Sequence, residues 1–231
     1  MLGVIVNSLA IVGGGILGLL IKEGIPERLN KTIMDGLALV VVYMGISGSL
    51  KSDNPLYVIF CMCIGALMGE LMDIDKWLNK FGDFIGSKIS KDDNSQNNNS
   101  ISKGFVSSSL IFCVGAMAVV GSLQSGLNGD HSTLFAKAVL DGIASIFFSA
   151  SMGIGVIVSS IAVFFYEGVI TIGSTVLSGV LSEVVVTYMT SVGSLLILAL
   201  GLNMLKISKI KVANLLPAMF IPIFLGIFNI I

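Results

Sequence analysis

The sequence predicts an all-α, polytopic bundle of seven to eight transmembrane helices. Hydrophobic residues make up 55% of it and charged residues only 12%, whereas a soluble domain carries roughly a quarter charged residues. The mean hydropathy is +0.97. Most of the 13 Lys and Arg fall in short clusters, which leaves stretches of the roughly 20 apolar residues that a helix needs to cross a hydrocarbon core of about 30 Å. Within that core each backbone polar group must find its partner inside the segment, and a helix provides this.

Leu2–Ile21 is the first expected span. It lacks a basic leader and a small-residue cleavage pattern, so it reads as retained rather than as a secretory signal. Gly13, Gly14, Gly15 and Gly18 give it a face that another helix can approach closely. Residues 22–31 connect it to a second span at 33–50. The sequence KSDNP at 51–55 is a turn, because proline disfavours helix in the residue before it and suits the first turn after it. The third span is Pro55–Met72, with Glu70 near its end.

From Ile74 the spacing of Ile74, Trp77, Leu78, Phe81, Phe84 and Ile85, with Lys76, Lys80 and Lys88 at other positions, predicts an interfacial amphipathic helix over 74–89. Residues 91–100, KDDNSQNNNS, contain no apolar side chain and read as a linker. The expected organisation is therefore a three-span unit at 1–73, an amphipathic helix with linker at 74–103, and a helical bundle at 104–231.

In that bundle the fourth span is expected at 104–123. The run 133–166 is too long for one crossing, being on the order of 50 Å as a single helix, so it must bend, break or double back. Gly142, Gly153 and Gly155 are available for this. Residues 169–182 are apolar, short and uncharged, and fit either a short crossing or a re-entrant segment. Glu183 opens a span reaching Leu205, and residues 212–231 form the last, kinked by Pro217 and Pro222.

Basic residues concentrate in three loops: Lys22, Arg28 and Lys31; Lys76, Lys80, Lys88, Lys91 and Lys103; Lys206, Lys209 and Lys211. The positive-inside rule assigns all three to the cytoplasmic side and the N-terminus to the outside. The third loop joins the others only with an even number of crossings between Lys103 and Lys206. This favours eight crossings, with 169–182 as the extra one. Residues 24–50 and 179–205 also resemble each other, each with a Glu near its start and a Leu-Lys at its end. Either an inverted repeat or shared apolar composition accounts for that likeness.

Net charge is -1 and there is a single His, which excludes a basic field for nucleic acid and most zinc schemes. Cys61, Cys63 and Cys113 are odd in number and lie in apolar stretches, against a disulfide framework. No phosphate-binding loop, nucleophile elbow or metalloprotease signature is present, so no enzyme activity, cofactor or metal is expected.

Residues 126–142, GLNGDHSTLFAKAVLDG, bring Asn128, Asp130, Lys137 and Asp141 into apolar surroundings. Lys137 and Asp141, four apart, face the same way on a helix. A charge at the bilayer centre costs about 2.5 kcal/mol or more on insertion scales, and such residues usually face a bundle interior or a water-filled cavity. These four, with Asn7 inside the first span, are the candidate ion- or substrate-binding residues. The competing reading makes Asn-Gly-Asp an ordinary turn, Lys137 and Asp141 an interfacial pair, and Asn7 a helix-to-helix hydrogen bond.

The opening GVIVNSLAIVGGGILGLLI, the GALMGEL of 65–71, the central FCVGAMAVVGSLQSGLNGDHSTLFAKAVLDG and the late LNMLKISKIKVANLLPA together resemble the YqgA/YdfK-like bacterial membrane proteins, a family classed as domain of unknown function 554. The resemblance covers nearly the whole chain and implies a multi-pass protein of the bacterial cytoplasmic (inner) membrane. It brings no activity, substrate or site residue. Two expectations follow: a secondary transporter or permease for a small ion or solute, or a non-transporting membrane module that assembles with partner proteins. The expected partners are the lipid bilayer, a small ion or solute, and a second copy of the chain forming a homo-oligomer.

Overall fold

A computed structural model describes residues 1–22, 27–77, 80, 95–114, 116–228 and 230–231. It is an all-α bundle. Six helices are long and apolar enough to cross a membrane, and a bent pair brings the total to seven. In chain order the helices are α1 (Leu2–Lys22), α2 (Glu27–Ser49), α3 (Pro55–Met72), α4 (Ser95–Cys113), α5 (Ala116–Leu127), α6 (Ser132–Met152), α7 (Gly155–Ile172), the short α8 (Ser174–Leu177), α9 (Glu183–Met204), a 3₁₀ stretch at Val212–Phe220, and α10 (Ile221–Ile227).

The local chemistry of several boundaries is plain. Asn54 caps α3, accepting from the Leu56 N–H at 3.0 Å, with Pro55 in the first turn. Ser182 caps α9 by accepting from the Val185 N–H, with Glu183 at the positive end of that helix's dipole. Pro217 lies inside the last segment and Pro222 opens α10. Two missing N–H donors five residues apart leave 3₁₀ geometry where a kinked final helix was expected.

Three expectations are corrected. Residues 169–182 form no crossing: α7 runs on to Ile172, and the remainder is α8 and a turn. The additional helix comes instead from the long run 133–166, which doubles back at Gly153 (φ 80), where a side chain would be strained. The fourth span is a bent pair, Ile101–Cys113 and Met117–Leu127, meeting at 61°. Finally, the polar tract 91–100 is not all linker. Its second half already belongs to α4, whose backbone ladder extends past the apolar residues. Most of the amphipathic segment 74–89 lies outside the described residues.

Close approaches at glycines fix the packing directions. Gly3, Gly14 and Gly18 of α1 lie against Leu134, Gly142 and Ile146, so α1 and α6 run parallel. Gly155 of α7 lies on Ile101, and Gly126 on Thr171, so the bent pair runs parallel to α7. Gly45 and Gly48 meet Leu198 and Ser194, making α2 and α9 antiparallel; Gly65 and Gly69 meet Ala218 and Asn214, making α3 antiparallel to the last segment. The two stretches that resemble each other in sequence are thus α2 and α9, packed face to face. Around α9, 78% of whose apolar stretch is buried, the outer α2 and α3 bury only 22% and present Leu39, Tyr43, Leu56 and Leu67 outward.

Met34, Lys103, Ser151, Lys206, Lys209 and Lys211 line one cavity of about 750 Å³. The start of α2, the start of the bent pair, the end of α6 and the loop after α9 therefore share one end of the bundle, and this is the basic end. There Glu70 accepts from Asn214 Nδ2 at 2.6 Å and from Lys211 Nζ at 3.2 Å, tying α3 to the last segment. The hydrogen bond to Glu70, and after it the Glu70 charge, raise the Lys211 pKa.

Candidate functional site

A helix with glycines on one face lets its neighbour's backbone come within contact distance. A Cβ at Gly14 would strike the Gly142 carbonyl, and one at Gly18 the Ile146 carbonyl. This approach seats Asn7, one and a half turns into α1, beside the first half of α6. α7 comes up antiparallel on the other side, Gly15 lying on Ile157.

Four polar side chains from the three helices converge there. Lys137 and Asp141, one turn apart on α6, form an ion pair. Lys137 Nζ also lies 3.6 Å from Glu167 Oε1 of α7. Asn7 Nδ2 donates to the same Glu167 oxygen at 2.9 Å. Asn7 and Glu167 are 0% exposed, Lys137 6% and Asp141 8%. One cation and two carboxyl groups are thereby enclosed among apolar helices.

Desolvating each ion costs several kcal/mol, and mutual attraction repays that only with good geometry and satisfied hydrogen bonds. Satisfaction here is incomplete. Asn7 Oδ1 and Glu167 Oε2 are buried acceptors without a hydrogen-bond partner among the described residues. A fully satisfied structural network would leave neither.

Of the residues singled out from sequence, Asn7, Lys137 and Asp141 come together. Asn128 and Asp130 do not; both are exposed in the turn before α6. Asp130 accepts from the Ser132 N–H at 2.9 Å, and that backbone hydrogen bond lowers its pKa. Gly129 supplies the left-handed residue of the turn (φ 68). His131 contacts Ser125 Oγ at 2.9 Å and packs edge-on to Phe135. No group of three or more His, Cys, Asp or Glu among the described residues is arranged to hold a metal ion.

Glu167 is the member that sequence reasoning missed. It stands between the apolar runs 133–166 and 169–182. The signal lay in the length of the first run: once that run doubles back at Gly153, Glu167 falls well inside the returning helix, with apolar residues on both sides.

The family described as protein of unknown function (DUF554) matches residues 2–227. An uncharacterized membrane protein, YdfK, of Bacillus subtilis (strain 168) is 30% identical over 226 residues, covering 96% of this chain and 94% of its own. An uncharacterized protein, YqgA, of Escherichia coli (strain K12) is 27% identical over 218 residues, covering 94% and 93%. No solved structure matches the chain.

Proposed function

The chain belongs to the DUF554 family, and on that footing we propose that this multi-pass membrane protein is a secondary transporter or permease for a small ion or solute. The enclosed cluster of Asn7, Lys137, Asp141 and Glu167 carries the reading. Ionisable groups inside a membrane bundle are expensive and rare, and they mark ion and solute pathways. Two of the cluster's acceptors have no partner among the described residues, which leaves them free to receive a proton, an ion or a solute donor. In this reading the chain is a carrier without covalent chemistry, and its residues bind and release.

The same reading puts the protein in the bacterial inner membrane with the basic end in the cytoplasm and the N-terminus outside. Four lysines around one cavity support that orientation. The alternative, a module that assembles with partners or with a second copy of itself, is favoured by the wide apolar faces of α2 and α3.

The test is uptake by liposomes containing the purified chain, across a panel of ions and small solutes and against empty liposomes. Flux of one class supports a transporter. No flux across the panel, with a stable complex recovered by crosslinking in cells, supports the assembly module.

A further inference from the structure

We infer that Glu167 carries an exchangeable proton, which makes the proton the coupling ion; this rests on the transporter reading. Asn7 already donates through Nδ2 to Glu167 Oε1 at 2.9 Å. The other end of each group, Asn7 Oδ1 and Glu167 Oε2, is buried and has no partner among the described residues. Two acceptors cannot bond each other. A proton on Oε2 closes an amide–acid ring: N–H to Oε1 on one side, O–H to Oδ1 on the other, with both donors and both acceptors used.

Charge points the same way. Asn7 of α1 and Lys137 and Asp141 of α6 act on Glu167, which in turn faces Cys113 of α4, with Tyr166 beside it on α7. Lys137 is the single cation among them, and it offsets one carboxylate. The proton makes the cluster neutral. One O–H bond forms at Oε2 with a proton taken from water on one side of the membrane, and the same bond breaks when the proton is given to water on the other.

Infrared difference spectra of the purified chain in lipid nanodiscs, titrated from alkaline to acid pH, test this directly. The expected result is a protonated-carboxyl band that disappears in Glu167→Gln and shifts in Asn7→Leu. Gln preserves the hydrogen-bonding shape, so the first variant should fold. A band unchanged in Glu167→Gln overturns the assignment, as does a site that answers to sodium and not to acid. The spectra need no flux, so a titrating Glu167 in a chain that moves nothing would sink the transporter reading and leave the proton site standing.

The helix pairs independently point to an inverted repeat. Residues 3–11, GVIVNSLAI, and 155–163, GVIVSSIAV, agree at six of nine positions. They begin α1 and α7, which pack antiparallel. The similar α2 and α9 also pack antiparallel, as do α3 and the last segment. Exchanging the members of each pair, and the bent pair with α6, turns the parallel contact of α1 with α6 into that of α7 with α4, which is also present. Phe112 and Phe148 stack edge to face at 6.3 Å where the exchanged helices α4 and α6 meet.

The two ends nevertheless differ. Aligning Leu50-Lys51 with Leu205-Lys206 sets Gly45 against Leu200 and Gly48 against Asn203. Leu200 and Asn203 line the cavity at the basic end. Their counterparts at the opposite end are sealed, Gly45 by Leu198 and Gly48 by Ser194, with Ser191 Oγ donating to the Gly48 carbonyl at 3.4 Å. We propose that the two halves exchange conformations, so that a second state closes the basic-end cavity and opens its counterpart between α2 and α9 at the other end.

Distances between spin labels in nanodiscs at acid and alkaline pH test this, with Cys61, Cys63 and Cys113 replaced by alanine. One pair, Thr32→Cys with Ile207→Cys, reports the basic end, and another, Ser49→Cys with Glu183→Cys, the opposite end. The expected result is two distances at each end, the long one gaining at one end as it recedes at the other. A single distance at each end under both conditions overturns the proposal.

Discussion

Lys137 has two carboxyl partners, and that imbalance makes single and paired substitutions behave differently. Lys137→Met leaves two buried carboxyl groups without a cation, and breaking a buried pair on one side costs about 3–5 kcal/mol. Lys137→Met with Asp141→Asn removes both members of the ion pair and leaves Glu167, which the inferred proton neutralises, so it should recover most of that loss in thermal unfolding; additive losses would mean that the two side chains are not coupled. Asp130 behaves otherwise because it is fully exposed in a turn. Its lowered pKa contributes stability present above the ordinary carboxyl value of about 3.9 and lost as acid protonates the folded chain. Asp130→Asn still accepts from the Ser132 N–H, so the melting profile at neutral pH should barely move. Asn7, Lys137 and Asp141 were legible in the sequence because each interrupts an apolar stretch. Asn128 and Asp130 have the same polarity, but Gly129 places them in a turn, and only the fold separates those cases.

Helices α1 and α6 meet through glycine, and that contact positions Asn7. Gly14→Leu would drive a side chain into the Gly142 carbonyl, and overpacking of this kind costs about 1–3 kcal/mol or more. Gly13→Leu, one residue earlier, meets nothing within 4 Å and should be neutral. Comparing their unfolding temperatures in detergent checks the seam; equal effects would contradict it. The small-residue face of the first span was readable from sequence, but its partner was not, since periodicity does not say which helix fills a groove. The same limit applied to residues 133–166. Length required a break, three glycines offered one, and the left-handed backbone of Gly153 emerges only from the packing. The last segment was readable as interrupted, because both prolines remove donors wherever they sit.

Across the whole molecule, the gathering of Lys103 with Lys206, Lys209 and Lys211 at one end is what the sequence expected of those two loops. It required an even number of crossings between Lys103 and Lys206. With the bent pair counted as one crossing, the bundle supplies four there, the pair, α6, α7 and α9, and none at residues 169–182. A reporter fused after Ile231 should therefore lie on the same side as the N-terminus, opposite a reporter at Lys206; the reverse would mean that the last segment does not cross. A transporter requires that the enclosed charges be a transport site and not a packing device. Flux into liposomes tests it most directly, with wild type, Asp141→Asn, Glu167→Gln and Asp130→Asn reconstituted in equal folded amounts. A charge-assisted hydrogen bond is worth about 1.5–3 kcal/mol, so flux in the first two variants should fall by about tenfold or more while Asp130→Asn stays at the wild-type level. Undiminished flux in Asp141→Asn and Glu167→Gln would contradict the claim.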